Sequence, residues 1–148
     1  MDKRPILLVE DDPADLDLAL LALRKNDIPN PVVVAEDGAE ALDFLFGRGK
    51  HAGKGRQLPA LVLLDLKLPG VGGLDVLREM KNDSLIELVP VVVLTSSKER
   101  QDVLTSYRLG ANSYVQKPVK FEEFVAAVKQ LGKYWLGLNE PAYADGAS

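Results

Sequence analysis

Several short apolar runs in this sequence end in polar side chains that could together handle a phosphoryl group. Glu10 and Asp11 follow one run, Asp65 follows another, and Thr95 follows a third, while Lys117 follows a short strand-like segment. Clustered carboxylates repel one another unless a cation neutralises them, and oxygen ligands without His or Cys favour Mg²⁺ over zinc or copper. A hydroxyl and an ammonium beside such an ion would supply the donors that phosphoryl oxygens need.

These side chains can meet only if the apolar runs before them are neighbouring strands of one sheet. Apolar runs occupy residues 6–9, 32–35, 61–64 and 91–94, and a short fifth strand is predicted at residues 113–116. Short runs that are apolar throughout are typical of parallel strands buried on both faces. Functional side chains of an open α/β sheet collect at the carboxyl ends of its strands, so the sequence predicts one shared site at that edge.

Segments with helical spacing separate the predicted strands. Asp12 followed by Pro13 is typical of a helix N-cap and its first residue, and the helix is expected to end near Asn26. Further helices are predicted at residues 38–46, 74–80, 99–109 and 121–135. The alternation of strand and helix predicts an α/β fold, a doubly wound five-stranded parallel sheet with helices on both faces.

The composition excludes several classes of protein. The 148 residues include no cysteine and carry a net charge of −4, which argues against disulfides, thiolate chemistry and a DNA-binding surface. The apolar runs are too short to span a bilayer, and no signal peptide is visible, so we expect a cytoplasmic protein. Residues 1–138 are predicted to form one domain without an output domain, and residues 139–148 a flexible tail.

Four segments together resemble the receiver domain of response regulators. They read LVEDDP at residues 8–13, LLDLKLP at 63–69, VLTSS at 93–97 and YVQKP at 114–118. The similarity covers roughly residues 4–136, and its strength lies in the order and spacing of all four segments. It implies the flavodoxin-like strand order 2-1-3-4-5 and a two-component function.

The resemblance assigns the phosphoryl and metal chemistry to named residues. Asp65 matches the aspartate that attacks a phosphohistidine of a partner histidine kinase. Asp11 matches the direct Mg²⁺ ligand, Glu10 the acid that binds through water, and the backbone carbonyl of Lys67 the third protein ligand. The domain would assist its own Mg²⁺-dependent phosphorylation and dephosphorylation, and we do not class it as a conventional enzyme.

The resemblance also implies a switch. Thr95 matches the hydroxyl that moves to the phosphoryl group, Tyr114 the aromatic ring that then turns inward, and Lys117 the lysine that pairs with the phosphoryl group. The bond between Lys117 and Pro118 is often cis in this family, which would aim the lysine at the site. Gly72 and Gly73 stand where the family often has an aspartate before the glycine, and we expect them to loosen the loop.

A narrower similarity points to response regulators that partner bacterial and cyanobacterial phytochromes. It rests on the insert at residues 47–58, the turn at Pro69, and the segment at residues 133–136. It implies a light-sensing histidine kinase as the phosphodonor. The insert is glycine-rich and basic, which favours an exposed partner-contact loop. A homodimer is expected through the fourth helix, the fifth strand and the last helix.

Some residues have a plainer interpretation beside the functional one. The position of Asp12 just before Pro13 favours a helix-capping role over metal binding. Thr95 could be only the cap of the next helix, and Lys117 could be only a surface lysine. Tyr114 could be plain core. Trp135 and its neighbour Tyr134 could close the core or mark an interface.

Two rival functions remain as hypotheses. A haloacid-dehalogenase-type hydrolase would also use an aspartate, a hydroxyl and a lysine with Mg²⁺, but it needs a second aspartate where Lys67 stands. A degenerate receiver would bind partners without phosphorylation, which the intact set of site residues opposes.

Overall fold

The computed structural model describes residues 3–142 of the chain. Its five strands are β1 (Ile6–Val9), β2 (Val32–Ala35), β3 (Leu61–Leu64), β4 (Val91–Thr95) and β5 (Ser113–Gln116). All neighbouring strands are parallel, and their order is β2-β1-β3-β4-β5. The predicted sheet and its strand order are therefore confirmed.

Five helices connect and follow these strands. They are α1 (Pro13–Lys25), α2 (Gly38–Phe46), α3 (Gly73–Lys81), α4 (Arg100–Arg108) and α5 (Phe121–Gly132). The last helix was predicted to run to Trp135, but regular winding ends at Gly132 and a π-helical segment continues over Lys133–Leu138. In the described part of the chain, no helix combines the length and apolarity that crossing a bilayer requires.

The three central strands β1, β3 and β4 are buried on both faces, and their successive residues point to opposite sides of the sheet. In β1, Leu7 and Val9 join a core with α2 and α3, whereas Ile6 and Leu8 join a core with α1 and α5. All four side chains are at most 3% exposed. This double burial explains why the strands read as continuous apolar runs rather than as alternating ones.

The insert at residues 47–58 is largely exposed, as predicted, but it is held at several points. It includes a short 3₁₀ turn at Gly49–His51, and the His51 ring meets the Phe44 ring edge-on, with 5.3 Å between centroids. Arg56 Nε donates to Asp83 Oδ2 at 2.8 Å. These contacts attach the insert to α2 and to the segment after α3.

Residues 139–148 are predicted to form a flexible tail, and of these the structure describes only residues 139–142. Within the described part, the amide of Asn139 donates to the carbonyl of Tyr134 at 2.6 Å. Trp135 packs against the core under α1 and α5, whereas Tyr134 is 48% exposed and meets the Trp135 ring edge-on. Trp135 therefore closes the core and Tyr134 borders the surface.

The loop between β3 and α3 passes close to the backbone of Asp65. A Cβ on Gly73 would lie 2.4 Å from the carbonyl oxygen of Asp65 and 2.7 Å from Leu66 Cα. The Gly73 amide donates to the carbonyl of Leu66 at 3.0 Å. The absence of a side chain on Gly73 is what allows this tight approach, whereas a Cβ on Gly72 would meet its nearest atom only at 3.7 Å.

We predict that Gly73→Ala lowers the free energy of unfolding by about 1–3 kcal/mol, because the added methyl group must push backbone atoms apart. Urea denaturation measures the change. Gly137→Ala is the matched control, since a Cβ there meets nothing within 4 Å. Equal stability of the two variants would show that the loop yields without cost.

Candidate functional site

The register of the sheet brings the predicted site residues to one edge. Val9 pairs with Leu64, so the residues that follow them, Glu10 and Asp65, emerge side by side. Thr95 pairs with Gln116, the residue before Lys117. Because parallel strands end at the same edge, side chains more than 100 positions apart in sequence become neighbours.

Both carboxylate oxygens of Asp65 are held by donors. Thr95 Oγ1 donates to Oδ1 at 2.8 Å, and the amide of Lys67 donates to the same oxygen at 3.2 Å. Lys117 Nζ donates to Oδ2 at 3.0 Å. Asp65 is only 8% exposed and Thr95 is fully buried, so the carboxylate has a defined orientation at the mouth of the site.

Lys117 is the cation around which the acids gather. Its Nζ lies 2.5 Å from Glu10 Oε1, 3.0 Å from Asp65 Oδ2 and 3.1 Å from Asp15 Oδ2. An ammonium has three N–H donors, and each has a carboxylate partner here. Glu10, Asp65 and Lys117 were predicted from the sequence, whereas Asp15 was not.

The route by which Lys117 reaches the site differs from the expected one. The residues that the structure describes include no cis peptide bond, so the bond to Pro118 is trans. The cis expectation is therefore wrong for this chain. The backbone amide of Lys117 donates to the carbonyl of Thr95 at 2.8 Å, which continues the β4–β5 pairing and directs the long side chain over the sheet edge.

Burial and neighbouring charges shift the pKa values of Glu10, Asp65 and Lys117. Burial raises the pKa of Glu10 to about 7, against the hydrogen bond from Lys117. Burial alone would also raise the pKa of Asp65, but the charge and hydrogen bond of Lys117 and the Thr95 hydroxyl hold that pKa below its ordinary value. Although burial opposes it, the hydrogen bond with Glu10 and the charge of Asp65 raise the pKa of Lys117. Asp65 is thus an anion and Lys117 a cation at neutral pH.

Three of the acids could hold a divalent cation. Glu10, Asp11 and Asp65 each offer a carboxylate oxygen, and these oxygens lie within 4.8 Å of one another. Glu10 and Asp65 are buried and Asp11 is exposed, so an ion could approach from solvent. Three carboxylates against one ammonium leave an excess of negative charge that a hard divalent cation would balance.

Asp12 lies beside this cluster but serves the helix. Its Oδ1 accepts from the amides of Ala14 at 2.8 Å and Asp15 at 3.4 Å, which makes it the N-cap of α1. The prediction that capping outweighs metal binding at Asp12 is confirmed, because its Oδ1 satisfies two helix amides and Asp12 does not belong to the cluster of Glu10, Asp11 and Asp65.

A chain of hydrogen bonds leads from Asp65 towards α4. Ser97, which is 3% exposed, donates from its amide to Thr95 Oγ1 at 3.4 Å and from its Oγ to Asp102 Oδ2 at 2.6 Å. The half-buried Tyr114 donates from its hydroxyl to the carbonyl of Ser97 at 3.1 Å. The segment at residues 93–97 that carries the resemblance includes Ser97, but no sequence signal indicated Asp102, whose contact depends on where α4 begins.

Helix α4 is lightly anchored. Ser106 is its only buried residue, and its side-chain oxygen has no hydrogen-bond partner among the described residues. By comparison, α3 is of equal length and buries Gly73, Val76, Leu77 and Met80. Few buried apolar contacts imply a low cost for local displacement, so α4 is the element best placed to move when the site changes.

A five-stranded parallel sheet with an acidic cluster, a buried threonine and a lysine at one edge defines a class of aspartate-bearing signalling domains. Residues 6–129 match the response regulator receiver domain, and the chain belongs to that family. Receiver domains of this family act in two-component signalling. The resemblance noted in the four sequence segments is thereby confirmed.

Similar proteins come from several sources. The probable methanogenesis regulatory protein FilR2 of Methanothrix harundinacea is 41% identical over 90% of this chain and 84% of its own length. The phosphorylated cyanobacterial phytochrome response regulator RcpA superposes with a TM-score of 0.88 at 37% identity, covering 96% of this chain and 100% of RcpA. The bacteriophytochrome response regulator AtBRR has a TM-score of 0.75 at 52% identity, covering 95% and 100%.

Response regulator Rcp1 of Synechocystis is a similar protein for which a metal-bound structure has been solved. It is 37% identical over 88% of this chain and 88% of its own length. Its Mn²⁺-bound form has been solved and superposes with a TM-score of 0.85 at 35% identity, covering 95% of this chain and 99% of that one. The acidic cluster of the present chain fits a divalent cation on its own donor set, and this relative is one in which such an ion has been seen.

We predict that Asp11→Asn weakens the binding of Mg²⁺ by about tenfold or more, because it removes a charged oxygen ligand. Isothermal titration calorimetry measures the affinity. Asp12→Asn is the matched control: it removes the same charge one residue away, and asparagine caps a helix as well as aspartate does. An equal loss in both variants would mean that the cluster attracts the ion only through its net charge.

Proposed function

We propose that Asp65 accepts a phosphoryl group from a phosphohistidine of a sensor histidine kinase. The observation that carries this proposal is the fixed Asp65 carboxylate, which lies between the Thr95 hydroxyl and the Lys117 ammonium beside two further acids. An ionised carboxylate in this setting is a nucleophile with donors already placed for the incoming oxygens. The proposal agrees with the family to which the chain belongs.

The transfer follows from these positions. A carboxylate oxygen of Asp65 attacks phosphorus while the bond from phosphorus to the imidazole nitrogen breaks, which yields an acyl phosphate and a histidine side chain. Lys117 then donates to a phosphoryl oxygen and balances its charge, and Thr95 offers its hydroxyl to another. Neither residue forms a covalent bond, so their contribution is positioning and electrostatic stabilisation.

The cation that we propose is Mg²⁺, held by Glu10, Asp11, Asp65 and the backbone carbonyl of Lys67. All four offer hard oxygen atoms, which suits Mg²⁺. When bound, the ion would neutralise charge on the phosphoryl oxygens. The amide of Lys67 already donates to Asp65 Oδ1, so this residue lies next to the phosphoacceptor.

We propose a phytochrome as the sensor kinase. The support is similarity along almost the whole chain to RcpA, a cyanobacterial phytochrome response regulator, and to AtBRR, a bacteriophytochrome response regulator. The kinase would supply the activated phosphoryl group. The receiver would supply the nucleophile and the charge stabilisation, so it is a phosphoacceptor rather than a conventional enzyme.

The output that we propose is a change at the face formed by α4, β5 and α5, which would promote a homodimer. Phosphorylation would draw Thr95 towards the phosphoryl oxygens and disturb the contacts that Ser97 makes with Tyr114 and Asp102. The lightly anchored α4 carries the half-exposed apolar side chains Leu104 and Tyr107. A shift of α4 would re-arrange this surface, which is how a local charge change biases a two-state element.

We predict that acetyl phosphate with Mg²⁺ adds one phosphoryl group to the protein and that Asp65→Asn abolishes this gain. The amide is not a competent nucleophile for an acyl phosphate. Intact-mass spectrometry measures the product. Asp75→Asn, an exposed acid paired with Arg78 on α3, is the control and should be labelled like the original protein. Labelling that persists in Asp65→Asn would place the phosphoacceptor elsewhere.

We predict that phosphorylation raises the dimer fraction and that Leu104→Lys weakens the dimer by about tenfold or more, because a charge would enter an apolar contact. Light scattering after size-exclusion chromatography, with and without acetyl phosphate, measures the mass. Leu88→Lys is the control, since Leu88 is 46% exposed on the turn before β4, outside the proposed interface. Equal dimer fractions before and after phosphorylation would contradict this output.

A further inference from the structure

Asp15 makes a contact at the site that no motif indicates. It is the third residue of α1, and an acid in the first turn of a helix is ordinarily explained by the helix dipole. Here its Oδ2 lies 3.1 Å from Lys117 Nζ, across 102 positions of sequence. Helix polarity alone does not require that contact.

The side chain of Asp15 is also not needed for capping. A capping box would use an acid at this position to accept from the amide of the N-cap residue, Asp12. That amide instead donates to Glu10 Oε2 at 3.2 Å. The Asp15 carboxylate is therefore available to Lys117, and its side chain is 40% exposed while that of Lys117 is 13% exposed.

The three acceptors of Lys117 differ in what else they must do. Glu10 and Asp65 belong to the acidic cluster that fits a divalent cation, and Asp65 is the proposed phosphoacceptor. Both must change their bonding when an ion or a phosphoryl group arrives. Asp15 lies outside that cluster, so its bond to Lys117 can persist throughout the reaction.

If that bond is lost, the Lys117 side chain has an alternative position in a neighbouring cavity. A cavity of about 300 Å³ opens beside it, lined by Asp15, Leu18, Pro118 and Phe121 among others. A lysine side chain has four flexible carbons and loses much rotamer freedom when it is fixed. An anchor on the α1 side would keep the ammonium over Asp65 rather than in this cavity.

We propose that Asp15 is a positioning residue that holds the Lys117 ammonium in reach of the phosphoryl group while Glu10 and Asp65 exchange partners. This role rests on the proposed phosphoacceptor function of Asp65. It acts through Lys117 alone, so its effects must disappear when that lysine is absent.

The test compares Asp15→Asn with Asp17→Asn. Both variants remove one negative charge from the first half of α1, and Asp17 is exposed with no side-chain hydrogen bond or ion pair among the described residues. At saturating Mg²⁺, Asp15→Asn should slow phosphorylation by acetyl phosphate about three- to tenfold, the range for losing a partly exposed charged hydrogen bond. Asp17→Asn should stay within about twofold of the original protein. Equal rates in the two variants would reduce Asp15 to a surface charge and overturn the proposal.

A double-mutant cycle separates positioning through Lys117 from any other effect. Asp15→Asn should cause no further slowing when it is added to Lys117→Ala, because the group on which it acts is gone. Slowing of the same size in both backgrounds would overturn the proposal, since Asp15 would then act by another route.

A second readout needs no phosphodonor and therefore stands apart from the proposed function. The ¹⁵N–¹H signal of the Lys117 ammonium should be visible in the Mg²⁺-loaded protein and in Asp17→Asn, and lost to fast exchange in Asp15→Asn. An unchanged signal in Asp15→Asn overturns the proposal even if the protein accepts no phosphoryl group. Failure of the proposed function itself shows differently, as absence of labelling of the original protein.

Discussion

One ammonium group holds together the acidic edge of this sheet. Glu10, Asp15 and Asp65 all lie within hydrogen-bond distance of Lys117 Nζ, and two of these acids are buried. Without that cation, carboxylates crowded at one edge would repel one another and take up protons. Their arrangement around Lys117 keeps Asp65 ionised, which is the state that nucleophilic attack requires.

The sheet makes this crowding possible because the register of its strands fixes where each of these side chains emerges. The three central strands β1, β3 and β4 are buried on both faces, so a register shift by one residue would reverse the two faces and move Asp65 away from Glu10. The loop after β3 adds a second restraint, since Gly73 lies directly against the Asp65 backbone. Asp65 is thus positioned by main-chain geometry, and its side-chain donors only complete the orientation.

The same site is joined to a less stable part of the fold. Thr95 contacts Asp65 directly, and Ser97 connects Thr95 to Tyr114 and Asp102 through hydrogen bonds. Helix α4, which carries Asp102, buries only Ser106. A rigid site coupled to a weakly anchored helix is the physical arrangement in which a small local change produces a larger displacement elsewhere.

The sequence by itself determined the strands, their parallel order through the family resemblance, and the main site residues, because buried strands read as apolar runs and site residues follow them directly. It also identified Asp12 as a cap, since capping depends on residues two or three positions away. Only the tertiary structure decided the contact of Asp15 with Lys117, the link from Ser97 to Asp102, and the tight passage at Gly73. It also corrected the expected cis bond at Pro118. These features are contacts between different secondary-structure elements. Such contacts depend on how the helices are placed and which path the loops follow, and local sequence patterns do not encode either.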